Sequence, residues 1–338
     1  MATIKEIAKM TGYSISTVSK ALNGYKDVSQ KAKNEIVKVS EELNYYPNYK
    51  LKNLRKKDSK SIALIINGLN AKNDGSTILY DLMSGIFSYS ASQNIDLVIY
   101  TIDSNRQDQI SYYQFCKNKN IDGAILTGIA IDDPYFKELE ESSLPIVTID
   151  LLTHNNSHKI GTVTINNEMA AFDAVNYLIK MGHRYIIFMN GKESAQVCIE
   201  RECGYRRAMA LHGITVHDEM VVYAEFKFER ALNEATRLLQ TNPEITCIFC
   251  ASDIMALGVY EACQKLKLSI PNDISIMGFD GIPTTKYVSP KMTTVEQDMF
   301  KMGYIAADHL RDIIYNHKDG EVISLDYNLV IRDSIMKL

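Results

Sequence analysis

Residues 3–24 read TIKEIAKMTGYSISTVSKALNG, and this stretch decides how the front of the 338-residue chain is built. Thr3 followed three residues later by Glu6 is the spacing of a capping box. Ile4, Ile7 and Ala8 recur at helical spacing, and Gly12 supplies the left-handed turn that ends the helix. Ser14 can cap a second helix, whose Val18, Ala21 and Leu22 form one apolar face. Asn23-Gly24 closes it. A third helix is expected from near Ser29 through Ala32, Ile36, Val39 and Leu43, until Pro47 stops it. Two short helices joined by a glycine turn, backed by a third, make a helix-turn-helix. Its second helix turns Ile15, Ser16, Thr17, Ser19 and Lys20 outward. Small hydroxyls approach phosphates closely, an aliphatic side chain can touch a thymine methyl, and a lysine reaches guanine O6 and N7. A three-helix bundle whose polar face merely meets water has the same pattern.

Charge separates this segment from the rest. Residues 1–60 carry 13 Lys and Arg against 6 Asp and Glu, a net of +7, whereas the remainder carries 24 against 35, a net of −11. A basic head on an acidic body is the footprint of a polyanion-binding module, although a solvated lysine-rich face gives the same count. The length predicts two or three domains. With 46% hydrophobic and 23% charged residues, disordered, collagen-like and coiled-coil classes are excluded. No apolar run approaches the roughly 18 residues of a membrane span, and the start lacks the apolar stretch of a signal peptide. A cytoplasmic protein is the expectation. The six cysteines form no disulfide framework. Cys247 and Cys250 make a C-x-x-C, but within a strand-like run two residues three apart face opposite ways and cannot grip one ion. No metal and no cofactor are expected.

From Ser61 onward strand-like and helix-like stretches alternate. The strands include SIALIIN (61–67), GAILTG (123–128), PIVTID (145–150), TVTI (162–165), TCIFCA (246–251) and ISIMGFD (274–280). Such alternation implies parallel sheets covered by helices on both faces. There are too many strands for one sheet and the pattern restarts near Gly161, so two doubly wound lobes are expected. Ligands collect outside the carboxyl ends of such strands. Asp150, Asn166, Asn167, Ser252, Asp253 and Asp280 fall there, with Arg201, just before GYRRAM, on a helix that begins the second lobe's ligand side. Carboxylates, an amide and a guanidinium around a cleft suit a polyhydroxylated ligand such as a sugar, with Phe226 available to pack its apolar face. Each acid alone has the plainer reading of a helix cap or loop residue.

The front segment resembles, almost residue for residue, the headpiece of the lactose-repressor (LacI/GalR) family of bacterial transcription regulators. The runs that carry it are Thr17-Val18-Ser19-Lys20, Ala21-Leu22-Asn23-Gly24 and Leu43-Asn44-Tyr45-Tyr46-Pro47-Asn48. The body resembles the same family's core and the periplasmic sugar-binding proteins through LPIVTID150, YLIKMGHR184, ASDIMALG258 and ISIMGFD280. The resemblance implies base reading by Ile15, Ser16 and Lys20, with Lys20 replacing the more usual arginine. It implies backbone contacts by Thr3, Ser14, Thr17, Ser19, Asn23, Tyr45 and Asn48. It also implies a hinge helix that wedges into the minor groove, with Leu54 at the wedge position and Leu51 where alanine is usual. A plain charged linker is the other reading of that stretch. Effector contacts map onto Asp150, Asn167, Arg201, Phe226 and Asp280, with Ser252 standing beside Asp253 where asparagine is usual. Leu151 and Ser76-Thr77-Ile78 also depart from the pattern, so effector identity does not transfer.

The resulting expectation is an all-α helix-turn-helix headpiece (1–47), a hinge or linker (48–60) and an α/β core (61–338) for effector binding and dimerisation. Lobe 1 is expected over about 61–160 and 292–320, and lobe 2 over about 161–291 and 321–338. By the resemblance, TTVEQ (293–297) and the helix after it return to lobe 1, and SLDYNLVIRDS (324–334) to lobe 2. The partners implied are a pseudo-palindromic double-stranded DNA operator, a small-molecule effector of sugar type and a second copy of the chain, with no membrane. No heptad tail follows Asp333, which favours a dimer. An enzyme on the α/β body is the competing class, although no G-x-x-x-x-G-K-S/T, G-x-G-x-x-G after a strand or G-x-S-x-G is present. A transport-type binding protein is opposed by the basic head and the lack of a signal peptide.

Overall fold

The computed structural model describes residues 3–22, 25, 27–43, 61–67, 76–102, 110–153 and 158–338. The chain divides into two compact units, Met1–Ser59 and Lys60–Leu338. In the first, α1 (Ile4–Thr11), α2 (Ile15–Leu22) and α3 (Gln30–Glu42) pack around Ile7, Val18, Ala21, Ala32 and Ile36. The capping box forms, with Thr3 N donating to Glu6 Oε2 at 2.7 Å. Gly12 ends α1 with φ +72°, a backbone that costs glycine little. Tyr13 then donates to Glu35 at 2.8 Å, tying the turn to α3.

The second unit holds two six-stranded sheets. Sheet one comprises β1 (Ser61–Asn67), β2 (Asp96–Ile102), β3 (Gly123–Thr127), β4 (Ile146–Ile149), β5 (Ile160–Ile165) and β11 (Val322–Leu325), in the order β11-β5-β4-β3-β1-β2. Sheet two comprises β6 (Ile186–Asn190), β7 (Val221–Tyr223), β8 (Cys247–Cys250), β9 (Ser275–Asp280), β10 (Thr293–Gln297) and β12 (Tyr327–Val330), in the order β12-β10-β9-β8-β6-β7. All pairings are parallel except that of β10 with β12. Central strands are buried end to end, as parallel strands covered on both faces must be. Helices α4 (Ser76–Ser92), α5 (Tyr112–Lys119), α6 (Pro134–Glu141) and α11 (Met299–Tyr315) pack with sheet one. Helices α7 (Asn167–Lys180), α8 (Gln196–Leu211), α9 (Phe228–Thr241) and α10 (Asp253–Leu266) pack with sheet two.

Three strand assignments differ from expectation. TVTI lies in β5, paired with β4 in sheet one, where the pattern restart at Gly161 suggested the second lobe. TTVEQ is β10 and belongs to sheet two, beside β9, whereas its following helix α11 does return to lobe one. The stretch 324–334 is divided, since Ser324-Leu325 end β11 in sheet one and Tyr327–Val330 form β12 in sheet two. The reasons are long-range contacts that strand periodicity does not encode. Thr294 donates its hydroxyl to the buried Asp253 at 2.6 Å, holding β10 in sheet two. His309 of α11 accepts from Glu321 N at 3.1 Å and lies against Gly161, holding β11 beside β5.

The lobes are therefore joined by three crossings of one residue each: Asn166 (β5 to α7), Asp298 (β10 to α11) and Asp326 (β11 to β12). Asn166 and Asp298 cap the helices they enter, accepting from Met169 N and Lys301 N. In lobe one, α4 and α11 cross at glycines. A Cβ on Gly303 would lie 2.1 Å from the Leu82 carbonyl oxygen, so only glycine permits that approach. Among the described residues, no helix is long and apolar enough to cross a membrane. No group of three or more His, Cys, Asp or Glu among them is placed to hold a metal ion.

Candidate functional site

Helix α2 buries Val18 and Ala21 and leaves the opposite face open. Ile15 is 48% exposed, Ser16 and Lys20 are exposed, and Thr17 and Ser19 are half-buried. Ser14 accepts from Thr17 N at 3.0 Å, so its hydroxyl oxygen serves the start of α2. Thr3 serves α1 in the same way. Lys20 Nζ sits 2.5 Å from Asp27, an exposed pair that a stronger anion can displace at small cost. Asn23, Tyr45, Asn48, Leu51 and Leu54 lie outside the described residues.

In the second unit the expected effector residues converge on Arg201, which is 3% exposed. Its Nε donates to Asn167 Oδ1 at 2.9 Å and its Nη1 to the Ala251 carbonyl at 2.7 Å, with Asp280 at 4.0 Å. The guanidinium lies 3.7 Å from the centroid of the Phe279 ring, a cation–π contact that fixes its plane. Asn167 begins α7, immediately after the Asn166 crossing, and its amide nitrogen makes long bonds of 3.4 Å to Thr164 Oγ1 and the Ile165 carbonyl. Thr164 in turn donates to Asp150 at 2.7 Å. A polar chain thus runs from Asp150 of lobe one through Thr164 and Asn167 to Arg201 and Asp280 of lobe two. Asp150 (φ +58°), just after β4, and Asp280 (φ +114°), the last residue of β9, both have left-handed backbone, the conformational cost that functional sites tend to store.

Two expected residues have a different emphasis. Ser252 accepts from Met255 N at 3.3 Å as the cap of α10, so its oxygen is engaged within lobe two. Phe226 also has left-handed backbone (φ +58°). Its ring covers Gly191, where a Cβ would lie 2.3 Å from the ring's Cζ, leaving it half-buried. Asp253 is fully buried and accepts from Gly281 N, Ile282 N and Thr294 Oγ1 at 2.6–2.8 Å, a structural clamp for the loop after β9.

Four contributors were not singled out from sequence: Thr164, Gln196, Glu200 and Gln297. Gln297 Nε2 donates to Asp280 at 2.8 Å. Its position at the end of β10 became meaningful only once β10 was seen beside β9. Leu152 N of lobe one donates to Gln196 Oε1 at 2.7 Å, and Gln196 Nε2 donates to Glu200 Oε1 at 2.8 Å, bridging the lobes along one rim. Glu200 adjoins Arg201 in sequence, the one local signal that could have found it.

Burial dominates the electrostatics. It pushes the Asp280 carboxyl up to about 7, against the opposing pull of Arg201 and Gln297. It raises Asp150 despite the Thr164 hydrogen bond, and Glu200 further through the charge of Asp150. Asp253 is raised by burial and then by the charge of Asp280. For Asp280 the folded chain holds a proton that the unfolded chain, with an ordinary value of 3.8, has released. Its contribution to stability is therefore complete below about pH 4 and is lost as pH rises towards 7. The margin of wild type over Asp280→Asn should shrink between pH 5 and 8 in urea titrations, and a margin that grows with pH would contradict this assignment.

Comparison with known proteins places these features. Residues 3–48 match the bacterial regulatory proteins of the lacI family, and residues 175–335 match the periplasmic binding protein-like domain. The chain is 30% identical to the ribose operon repressor of Haemophilus influenzae, covering 100% of both proteins. It is 29% identical to catabolite control protein A of Priestia megaterium over 98% of each. The fold is that of the lac repressor dimer bound to operator (TM-score 0.79, 21% identity, 99% of each chain). It is also that of a LacI family regulator from Enterococcus faecium with bound ribose (TM-score 0.70, 23% identity, 82% of this chain and 100% of that one). With the lacI family model matched over residues 3–48 and a relative 30% identical over the full length of both proteins, the chain belongs to the lacI family of bacterial regulatory proteins.

Proposed function

We propose that the chain is a sequence-specific repressor of transcription, acting as a homodimer on a pseudo-palindromic operator, whose DNA affinity is set by a small sugar-type effector held between the lobes. The observation that carries this reading is the polar chain from Asp150 to Asp280 across the lobe boundary. A ligand touching both ends stabilises one lobe arrangement over another, which is the differential affinity that coupling to DNA requires. The three single-residue crossings are where the rotation would be absorbed. Relatives described as a ribose operon repressor, a lac repressor dimer on operator and a ribose-bound regulator support the same reading. Ile15, Ser16 and Lys20 read bases, while Thr3, Ser14, Thr17, Ser19, Asn23, Tyr45 and Asn48 hold phosphates, and Leu51 and Leu54 enter the minor groove. Asp150, Asn167, Arg201, Phe226, Ser252 and Asp280 contact the effector. The cleft binds without turnover, and the protein works in the cytoplasm.

Selection of genomic fragments by the full chain, with and without sugars, tests this. A preferred fragment should bind roughly a thousandfold or more tighter than random duplex, and an effector should shift that affinity about 5- to 150-fold. No preference under any condition would refute the proposal. On the selected operator, Lys20→Ala should lose about 1–3 kcal/mol at one base pair and relax preference there. An equal loss on every sequence would assign Lys20 to the phosphates instead.

A further inference from the structure

The cleft is rich in carboxylates and holds one buried acceptor, Gln297 Oε1, that no described residue satisfies. Asp150 faces it from lobe one, and Glu200, Asp253 and Asp280 lie on lobe two. Among the described residues Arg201 is the one cation paired with any of these carboxylates, at 4.0 Å from Asp280. Two of its nitrogens are already engaged with Asn167 and Ala251. Asp150 accepts from the Thr164 hydroxyl at 2.7 Å and Glu200 from the Gln196 amide at 2.8 Å, and Asn167 serves both. Among the described residues neither is ion-paired, the charge of Arg201 acting on them only from beyond pairing distance. Gln297 supplies an independent sign. It is 8% exposed, its amide nitrogen is given to Asp280, and its carbonyl oxygen Oε1 has no partner among the described residues. A buried acceptor left without a donor costs about 1–3 kcal/mol, a cost that a ligand donor would remove.

Resting on the reading of the cleft as the effector site, we propose that the effector is a sugar or similar polyol bearing a protonated amine, with the ammonium between Asp150 and Glu200 and a hydroxyl donating to Gln297 Oε1. An ammonium has three donors and no acceptor, so it matches a site rich in carboxylate oxygens and poor in cations. Like charges approaching from the two lobes oppose closure, and a cation between them converts that repulsion into attraction. Glu200 is also joined through Gln196 to Leu152 N, two residues beyond Asp150, so seating the amine engages the same rim that links the lobes. A carboxylate or phosphate on the ligand would meet Asp150 and Glu200 with the same sign, which excludes uronates and sugar phosphates.

Calorimetry and thermal-shift titration of the full chain with glucosamine, galactosamine and mannosamine test this, each beside its parent hexose, its N-acetyl form and the matching uronate. At least one amino sugar should bind roughly tenfold to a hundredfold tighter than its N-acetyl form, the scale of one charge-assisted bond. Glu200→Gln should remove most of that ratio, and the melting point of the ligand-free variant establishes that it folds. Asp150→Asn gives a second measurement of the same ratio if Glu200→Gln does not fold. Equal or tighter binding of a parent hexose, N-acetyl sugar or uronate overturns the amine while leaving the cleft as the effector site. Failure of every compound to bind overturns both.

Discussion

Removing residues 1–60 should abolish operator binding while leaving the remaining chain folded and able to bind its effector. The helical unit has its own core of Ile7, Val18, Ala21, Ala32 and Ile36, and the α/β unit from Lys60 onward has another. Neither core depends on residues of the other. The truncation removes 13 basic residues against 6 acidic ones and leaves a body of net charge −11, which repels the phosphate backbone. Specific affinity exceeds non-specific affinity by a factor of about 10³ or more. The truncated protein should lose that factor and the salt-dependent binding beneath it. Fluorescence anisotropy on labelled operator across a salt series measures the loss, and calorimetry with the effector measures what is kept. Retention of operator affinity within tenfold of the intact chain would place DNA binding elsewhere and overturn the division of labour.

The second large effect should come from Arg201→Ala. The side chain is 3% exposed, bonds to Asn167 and Ala251, lies over Phe279 and balances Asp280. Truncation leaves Asn167 Oδ1 and the Ala251 carbonyl buried without their donor, at about 1–3 kcal/mol each, and lifts the Asp280 carboxyl still higher, so that it keeps its proton at neutral pH. The cost should be smaller at acid pH, where Asp280 is already protonated and has no charge to balance. Effector affinity should fall at least a hundredfold, because Asn167 loses the group that orients its amide and Asp280 loses its paired cation. Arg201→Lys should recover part of the stability but little of the binding, since an ammonium cannot hold Asn167 and Ala251 in one fixed fork. Urea midpoints at about pH 5 and pH 8, with titration of the effector, decide the matter. A loss below about 1 kcal/mol at neutral pH would mean that the guanidinium does not satisfy Asn167 and Ala251, and that this account of the cleft is wrong.

Local chemistry was legible wherever a residue's role depends on its near neighbours. Thr3 and Glu6 are three apart and form their box, Gly12 takes the left-handed turn, and Val18 and Ala21 face inward because a helix puts them there. Asp150, Asn167 and Asp280 were placed at strand ends because ligands collect at the carboxyl ends of parallel strands. Thr164, Gln196 and Gln297 were not, since nothing in a threonine inside a strand or a glutamine at its end announces which neighbour it will meet. Ser252 caps α10 with its hydroxyl oxygen, and a serine after a strand reads the same as a cap or as a ligand contact, so sequence alone does not separate the two roles.

The chain's own order of residues determined that there would be a basic three-helix unit with an open outer face and an acidic body of alternating strands and helices, since charge, capping and periodicity are local properties. Which sheet each strand joined was decided only by tertiary contacts. β5, β10 and β11 carry the same apolar alternation as their neighbours, and it was Thr294 reaching Asp253 and His309 reaching Glu321 that assigned them. The same three-dimensional pairing brought Gln297 beside Asp280 and Glu200 into the field of Asp150. The chemistry of the cleft arises from residues far apart in the chain, where long-range packing rather than periodicity selects the partners.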